Sequence, residues 1–171
     1  MDLKDMIRNI PDFPSPGVMF RDITTALKDP TGLAAAVDAL AGSLKDAEYD
    51  LVIGPESRGF IFGVPLAYKM GKGFVPARKA GKLPAETSKK AYALEYGEAE
   101  IEVHRDAIVP GCRIVIVDDL LATGGTAKAV ADLVTELGAK VVGMAFLIEL
   151  APLKGRKTLA EYENIQSILV Y

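Results

Sequence analysis

The chain has 171 residues, 50% hydrophobic and 25% charged, with a net charge of −3; this suits one globular domain burying roughly 70% of its unfolded surface. The mildly acidic balance argues against a general nucleic-acid surface, and no apolar stretch approaches the roughly 20 residues of a membrane span. Cys112 stands alone, which excludes an internal disulfide and a cysteine-rich metal site, and His104, also alone, has no companion histidine for a metal.

Met1 to Asn9 reads as a short amphipathic helix that mixes acids and bases, with no apolar signal-peptide core, so the expected location is the cytoplasm. Ile10 to Ile23 holds three prolines and a glycine, which makes a stiff non-helical segment and offers Phe20 as a flat apolar surface. Asp29-Pro30 then starts a helix to about Leu44, with the aspartate as N-cap and proline at the first position.

Leu51 to Gly54 reads as the first sheet strand. Gly54 to Gly59 has the spacing of a Walker A loop but continues Phe60-Ile61, where that loop needs Lys then Ser or Thr, and no G-x-G-x-x-G opens a helix. Gly59 to Met70 is a further helix, interrupted near Pro65. After the apolar strand Phe74 to Ala77, Arg78, Lys79 and Lys82 put three cations within five residues, enough charge to meet a polyanion. With the polar, flexible stretch Pro84 to Lys90 they read as a lid, which Leu94-Glu95-Tyr96-Gly97 closes.

The last four residues of Arg113 to Val117 are apolar and β-branched without alternation, as in a parallel strand covered on both faces. It delivers Asp118 and Asp119 to the ligand-binding edge of an α/β sheet, as acceptors for vicinal sugar hydroxyls or a hydrated Mg²⁺. Thr123-Gly124-Gly125-Thr126 then lets several backbone N–H groups converge on one anion. A helix follows from Gly125 to Leu137, with Val130, Leu133, Val134 and Leu137 at helical spacing and Gly138 ending it, so the loop opens onto a helix N-terminus. Lys140 to Ile148 is a second buried strand and Ile165 to Val170 an edge strand; Leu150 to Tyr171 carries no functional motif. Alternating strands and helices predict a mainly parallel α/β sheet flanked by helices.

The run of hydrophobic strand, Asp118-Asp119 and Ala122-Thr123-Gly124-Gly125-Thr126 resembles the phosphoribosyl pyrophosphate signature of type I phosphoribosyltransferases. The resemblance implies that Asp118 and Asp119 bind ribose hydroxyls and that Ala122, Thr123, Gly124, Gly125 and Thr126 wrap the 5′-phosphate. It extends in order from about Ile10 to Glu149. Gly54-Pro55-Glu56-Ser57-Arg58-Gly59-Phe60 is similar to the family's pyrophosphate loop, which strains its backbone, sometimes through a cis non-proline peptide, so that amides and an arginine meet the pyrophosphate. That gives Ser57 and Arg58 their roles, while Pro55 removes one donor.

The segment Ile10 to Ile23 resembles the hood of the adenine-using members. By that resemblance the backbone of Met19 and Arg21 reads the edge of the base, and Phe20 and Leu120 sandwich it. Arg78, Lys79 and Lys82 bind pyrophosphate, some across a homodimer interface. Glu95 meets purine N7 and takes a proton as N9 attacks, and Tyr96 helps the lid close. The implied organisation is one domain, residues 1–171, with a hood over 1–30 and a flexible flap over 78–104. The implied reaction is purine salvage: adenine and phosphoribosyl pyrophosphate give AMP and pyrophosphate, with Mg²⁺ carried mainly by the substrate, and no nucleic acid or membrane takes part. Two alternatives remain at this point, a hypoxanthine or guanine transferase and a non-catalytic regulator that binds phosphoribosyl pyrophosphate.

Overall fold

The computed structural model describes residues 2–93 and 98–171. Its contacts group the chain into two units, Met1–Ala39 and Leu40–Tyr171. In the first, Asp2 accepts from the Lys4 N–H at 3.2 Å and opens a single 3-10 turn, Leu3–Met6. The chain then extends as β1 (Arg8–Pro11), antiparallel to β2 (Met19–Asp22). The helix expected over Met1 to Asn9 is therefore replaced by a turn and a strand. An isolated helix that short is marginal, and Arg8 instead lies opposite Asp22 and donates to its carboxylate at 2.9 and 2.5 Å. Asp22 also accepts from the Thr24 hydroxyl and N–H at 2.7 and 2.9 Å; these bonds and Arg8 bring its pKa down to about 2. Two helices follow along the chain, α1 (Thr24–Leu27) and α2 (Pro30–Ser43), the latter ending past the boundary at Ala39. As expected, Asp29 caps the latter, accepting from the N–H groups of Thr31 and Gly32 at 2.8 and 3.1 Å.

The second unit holds a seven-stranded sheet built from β3 (Leu51–Pro55), β4 (Gly73–Lys79), β5 (Thr87–Ala93), β6 (Glu98–His104), β7 (Arg113–Leu121), β8 (Lys140–Glu149) and β9 (Ile165–Val170), in the order β5-β6-β4-β3-β7-β8-β9. The pairs from β4 through β9 are parallel, and β6 runs antiparallel to both β4 and β5. This is the expected mainly parallel sheet, with an antiparallel arm where the lid was read and β9 at the edge. The β-branched runs of the central strands are sealed off: Val52, Ile53, Ile114, Val115, Ile116 and Val117 are all fully buried. Helices α3 (Arg58–Lys69) and α4 (Gly125–Glu136) cover them, and a short α5 (Gly155–Thr158) precedes β9.

Three local expectations change. β7 runs on to Leu121 because its ladder with β8 continues through Asp118 opposite Phe146 and Leu120 opposite Ile148, so the acidic pair sits inside the strand. α3 passes through Pro65 without a break, held on its core side by the fully buried Phe62 and Leu66. The stretch from Pro84 to Lys90, read as flexible, is strand from Thr87 onward, where β5 pairs residue by residue with β6.

Candidate active site

Asp118 and Asp119 follow four fully buried residues of β7, at its C-terminal end. Asp118 accepts the N–H of Asp119 at 2.8 Å, and Asp119, itself buried, pairs with Arg58 Nε at 3.0 Å. Burial lifts both carboxyls above the usual aspartate range. For Asp118 the neighbouring charge of Asp119 adds to the rise, while for Asp119 the guanidinium of Arg58 opposes it. Two crowded carboxylates facing one cation make a site whose acceptors are short of donors, the chemistry that hydroxyls or a hydrated divalent cation would satisfy.

Arg58 reaches that pair because it opens α3 directly after the loop at the end of β3. The loop contains a cis Glu56–Ser57 peptide, in line with the geometry the resemblance implied, and the Glu56 N–H donates to the Ala77 carbonyl at 2.8 Å. Gly59 permits the close approach of α3 to β7. A Cβ there would stand 3.1 Å from both Asp118 Oδ1 and the Val117 carbonyl and 2.8 Å from Pro55 Cδ.

Past Leu121 the chain turns through Ala122, Thr123 and Gly124, whose φ of 85° is costly for a residue with a side chain, and α4 starts at Gly125. A cavity of about 320 Å³ joins this loop to the acidic pair, to Ser57, Arg58 and Lys79, and to Leu120 on its wall. It is the size of a small-ligand site. The N-terminus of α4 gives it a positive end suited to a phosphate.

Glu56, which also lines the cavity, already holds two further cations. Glu56, whose side chain is 6% exposed, takes Arg78 Nε on one carboxylate oxygen at 2.6 Å and Lys82 Nζ on the other at 2.9 Å. Burial works against its charge, but Lys82 and Arg78 outweigh it and hold its pKa below the usual value. The loop that carries Lys82 is pinned from beneath: Glu102, buried in β6, accepts the N–H groups of Gly81, Lys82 and Leu83 at 3.0, 3.2 and 3.1 Å.

Glu56 and Glu102 were not singled out from sequence. Glu56 lies inside a recognised loop, but an acid there gave no hint of pairing with cations 22 and 26 residues away. The alternation of Glu98, Glu100 and Glu102 did not reveal which carboxylate turns inward. Gly155 and Thr158, which touch the Ala122 to Gly124 turn, were missed for the same reason: the contact is distant in sequence and the segment carries no motif.

The residues that the resemblance assigned to a hood lie in the first unit, where Met19 is exposed, Phe20 meets Phe13 edge-on with ring centroids 5.2 Å apart, and Arg21 donates to Asn9. Glu95 and Tyr96 fall outside the described residues. His104, the last residue of β6, accepts from the Ala85 N–H at 3.3 Å, a structural part.

Known proteins resemble the chain over nearly its whole length. The model of the phosphoribosyl transferase domain matches residues 24–169. An adenine phosphoribosyltransferase of Synechocystis is 57% identical over 170 residues, 98% of this chain and 99% of its own. The crystal structure of adenine phosphoribosyltransferase from Thermoanaerobacter pseudethanolicus superposes with a TM-score of 0.95 at 53% identity, covering 99% of this chain and 98% of that one. The enzyme from Saccharomyces cerevisiae, complexed with adenine and an imino-altritol bisphosphate, superposes with a TM-score of 0.88 at 41% identity, covering 96% and 94%.

Proposed function

The chain belongs to the phosphoribosyl transferase family, and from that membership and the chemistry of its cavity we infer the reaction and the part each residue takes in it. The protein is a pentosyltransferase of purine salvage, which moves the 5-phosphoribosyl group from phosphoribosyl pyrophosphate to adenine and releases AMP and pyrophosphate. The observation that carries the assignment of parts is that one cavity joins the acidic pair, the glycine turn at the head of α4, and Arg58 with Lys79.

In this reading the Ala122 to Thr126 turn holds the 5′-phosphate, and Asp118 and Asp119 accept from the ribose hydroxyls. Arg58, Arg78, Lys79 and Lys82, with Ser57, meet the pyrophosphate. Adenine N9 attacks the anomeric carbon as its bond to the pyrophosphate oxygen breaks, which inverts the centre from α to β. Glu95 takes the proton that adenine must lose, and Tyr96 supports the closed flap. Positive charge on the ribose is favoured by the carboxylates and negative charge on the leaving group by the cations. Mg²⁺, carried mainly by the substrate and matched to the donor-poor oxygens of Asp118 or Asp119, would neutralise the pyrophosphate as it leaves. Phe20 and Leu120 supply apolar surface for the base, and the backbone of Met19 and Arg21 reads its edge.

Two wider assignments accompany this. Ile61, Val64 and Tyr68 are exposed at helical spacing along α3, with Tyr68 at 89%, a pattern that favours a homodimer interface. Among the described residues no helix is long and apolar enough to cross a membrane, and we place the enzyme in the cytoplasm as a single domain with a hood and a flap. Single-turnover product formation tests the function, with labelled phosphoribosyl pyrophosphate, Mg²⁺ and either adenine, hypoxanthine or guanine. AMP from adenine alone is the expected result. IMP or GMP would overturn the base assignment, and tight binding without product would point to a regulator.

A further inference from the structure

We propose that Thr158 and Gly155, in a C-terminal segment with no recognisable motif, are positioning residues that set the amide directions of the phosphate-binding turn. The idea rests on the assignment of that turn to the 5′-phosphate. The Thr158 hydroxyl donates to the Thr123 carbonyl at 2.6 Å. Gly155 lies so close that a Cβ there would stand 2.4 Å from the Ala122 carbonyl oxygen and 2.8 Å from Leu121 Cδ1. In the other direction, a Cβ on Gly124 would meet the Gly155 carbonyl at 2.7 Å and Thr158 Cβ at 3.0 Å. The turn and the segment are thus in backbone-to-backbone contact, which only glycine at both positions permits.

The contact fixes direction as well as distance. In a trans peptide the N–H points opposite to the C=O. With the carbonyls of Ala122 and Thr123 turned towards Gly155 and Thr158, the N–H groups of Thr123 and Gly124 turn away from that segment, and both residues line the cavity. Two consecutive amides aimed at one side form the concave donor set that binds an anion.

The segment has its own anchors and does not simply follow the turn. Leu159 is fully buried, and Arg156 Nε meets both carboxylate oxygens of the buried Glu149 at 3.0 Å while Nη1 donates to the Ile165 carbonyl at 2.9 Å. The ends of β8 and β9 therefore hold the part of the chain that orients the turn.

The test compares AMP with adenosine, which lacks only the phosphate, by calorimetric titration of the wild type, Thr158→Val, Thr158→Ser and Gly155→Ala. Valine keeps the shape of threonine and loses the hydroxyl. It should weaken AMP binding about 3- to 10-fold, the worth of one orienting hydrogen bond, and leave adenosine unchanged. Thr158→Ser should restore AMP affinity, and Gly155→Ala, whose methyl must displace the Ala122 carbonyl, should cost more than the valine. Unchanged AMP affinity in Thr158→Val or in Gly155→Ala would overturn the proposal, as would an equal loss for AMP and adenosine, the mark of a merely structural role. If the wild type itself binds AMP no more tightly than adenosine, the assignment of the turn to the phosphate falls, and this proposal with it.

Discussion

The two ends of the proposed site are built from different materials. At the end of β7 the groups we assign to the ligand are backbone amides and two short carboxylates, set by a mostly buried strand and a turn that leads directly into α4. Around Glu56 they are the long side chains of Arg78 and Lys82, partly exposed and paired with its carboxylate, beside a loop that Glu102 pins. The first end has its geometry before any ligand arrives and little freedom to change it. The second holds charge in reserve, and an incoming polyanion must compete with the carboxylate of Glu56 for the same cations. A group that stays on the ribose through the reaction suits the first arrangement, and a group that has to leave suits the second.

If binding is divided between these ends and the proton transfer belongs to the flap, Glu95→Gln should slow single-turnover product formation about 10²- to 10⁴-fold while AMP and pyrophosphate bind as before. A near-normal rate would take Glu95 out of the chemistry. At the rigid end, changing Asp118 and Asp119 together to Asn should weaken phosphoribosyl pyrophosphate binding about 10- to 100-fold, as expected when charged acceptors are lost, with circular dichroism unchanged. Equal affinity would refute the ribose assignment.

Salt should separate the two ends by a smaller factor. Raising ionic strength from about 0.05 to about 0.5 M screens exposed charges far more than directed amide hydrogen bonds, so pyrophosphate affinity should fall several-fold further than AMP affinity. Parallel losses would mean that the ends do not differ as described.

The acidic pair should also reveal its cost. Because burial raises both carboxyls, the folded protein binds their protons more tightly than the unfolded chain. The pair therefore supports folding below the ordinary aspartate value of about 4, and that support is lost as pH rises through the raised pKa values. Asp118→Asn should accordingly increase Tm at neutral pH by about 2 to 6 °C and change it little in acid. A fall in Tm at neutral pH would show that the charged form is stabilised instead. This is the pattern of a site kept for function against stability.

How much of this was legible in the sequence follows the same division. β7, the acidic pair, the turn and α4 lie within one short run, so apolar periodicity and turn chemistry sufficed to find them. The extra length of β7 was hidden because it depends on the ladder with β8, a partner remote in sequence. The N-terminal helix was misread because Arg8 finds Asp22 across a ribbon that no local window contains. Glu56, Glu102 and Thr158 act through partners 22, 19 and 35 residues away, and none of the three has a spacing that announces it. The fold class needed only the alternation of elements. The segment read as a loose flap is partly strand because Thr87–Ala93 pairs along its whole length with β6.

Gly59 carries a consequence for anyone sorting variants by activity. Its hydrogen occupies the only room between the start of α3, Pro55, and the oxygens of Val117 and Asp118. A single added methyl would press on Pro55, on the Val117 carbonyl and on the Asp118 carboxylate at once, from inside the protein. A mutational scan would score position 59 among the reactive residues, though it has no chemistry of its own; what the scan would detect there is the thickness of one carbon atom.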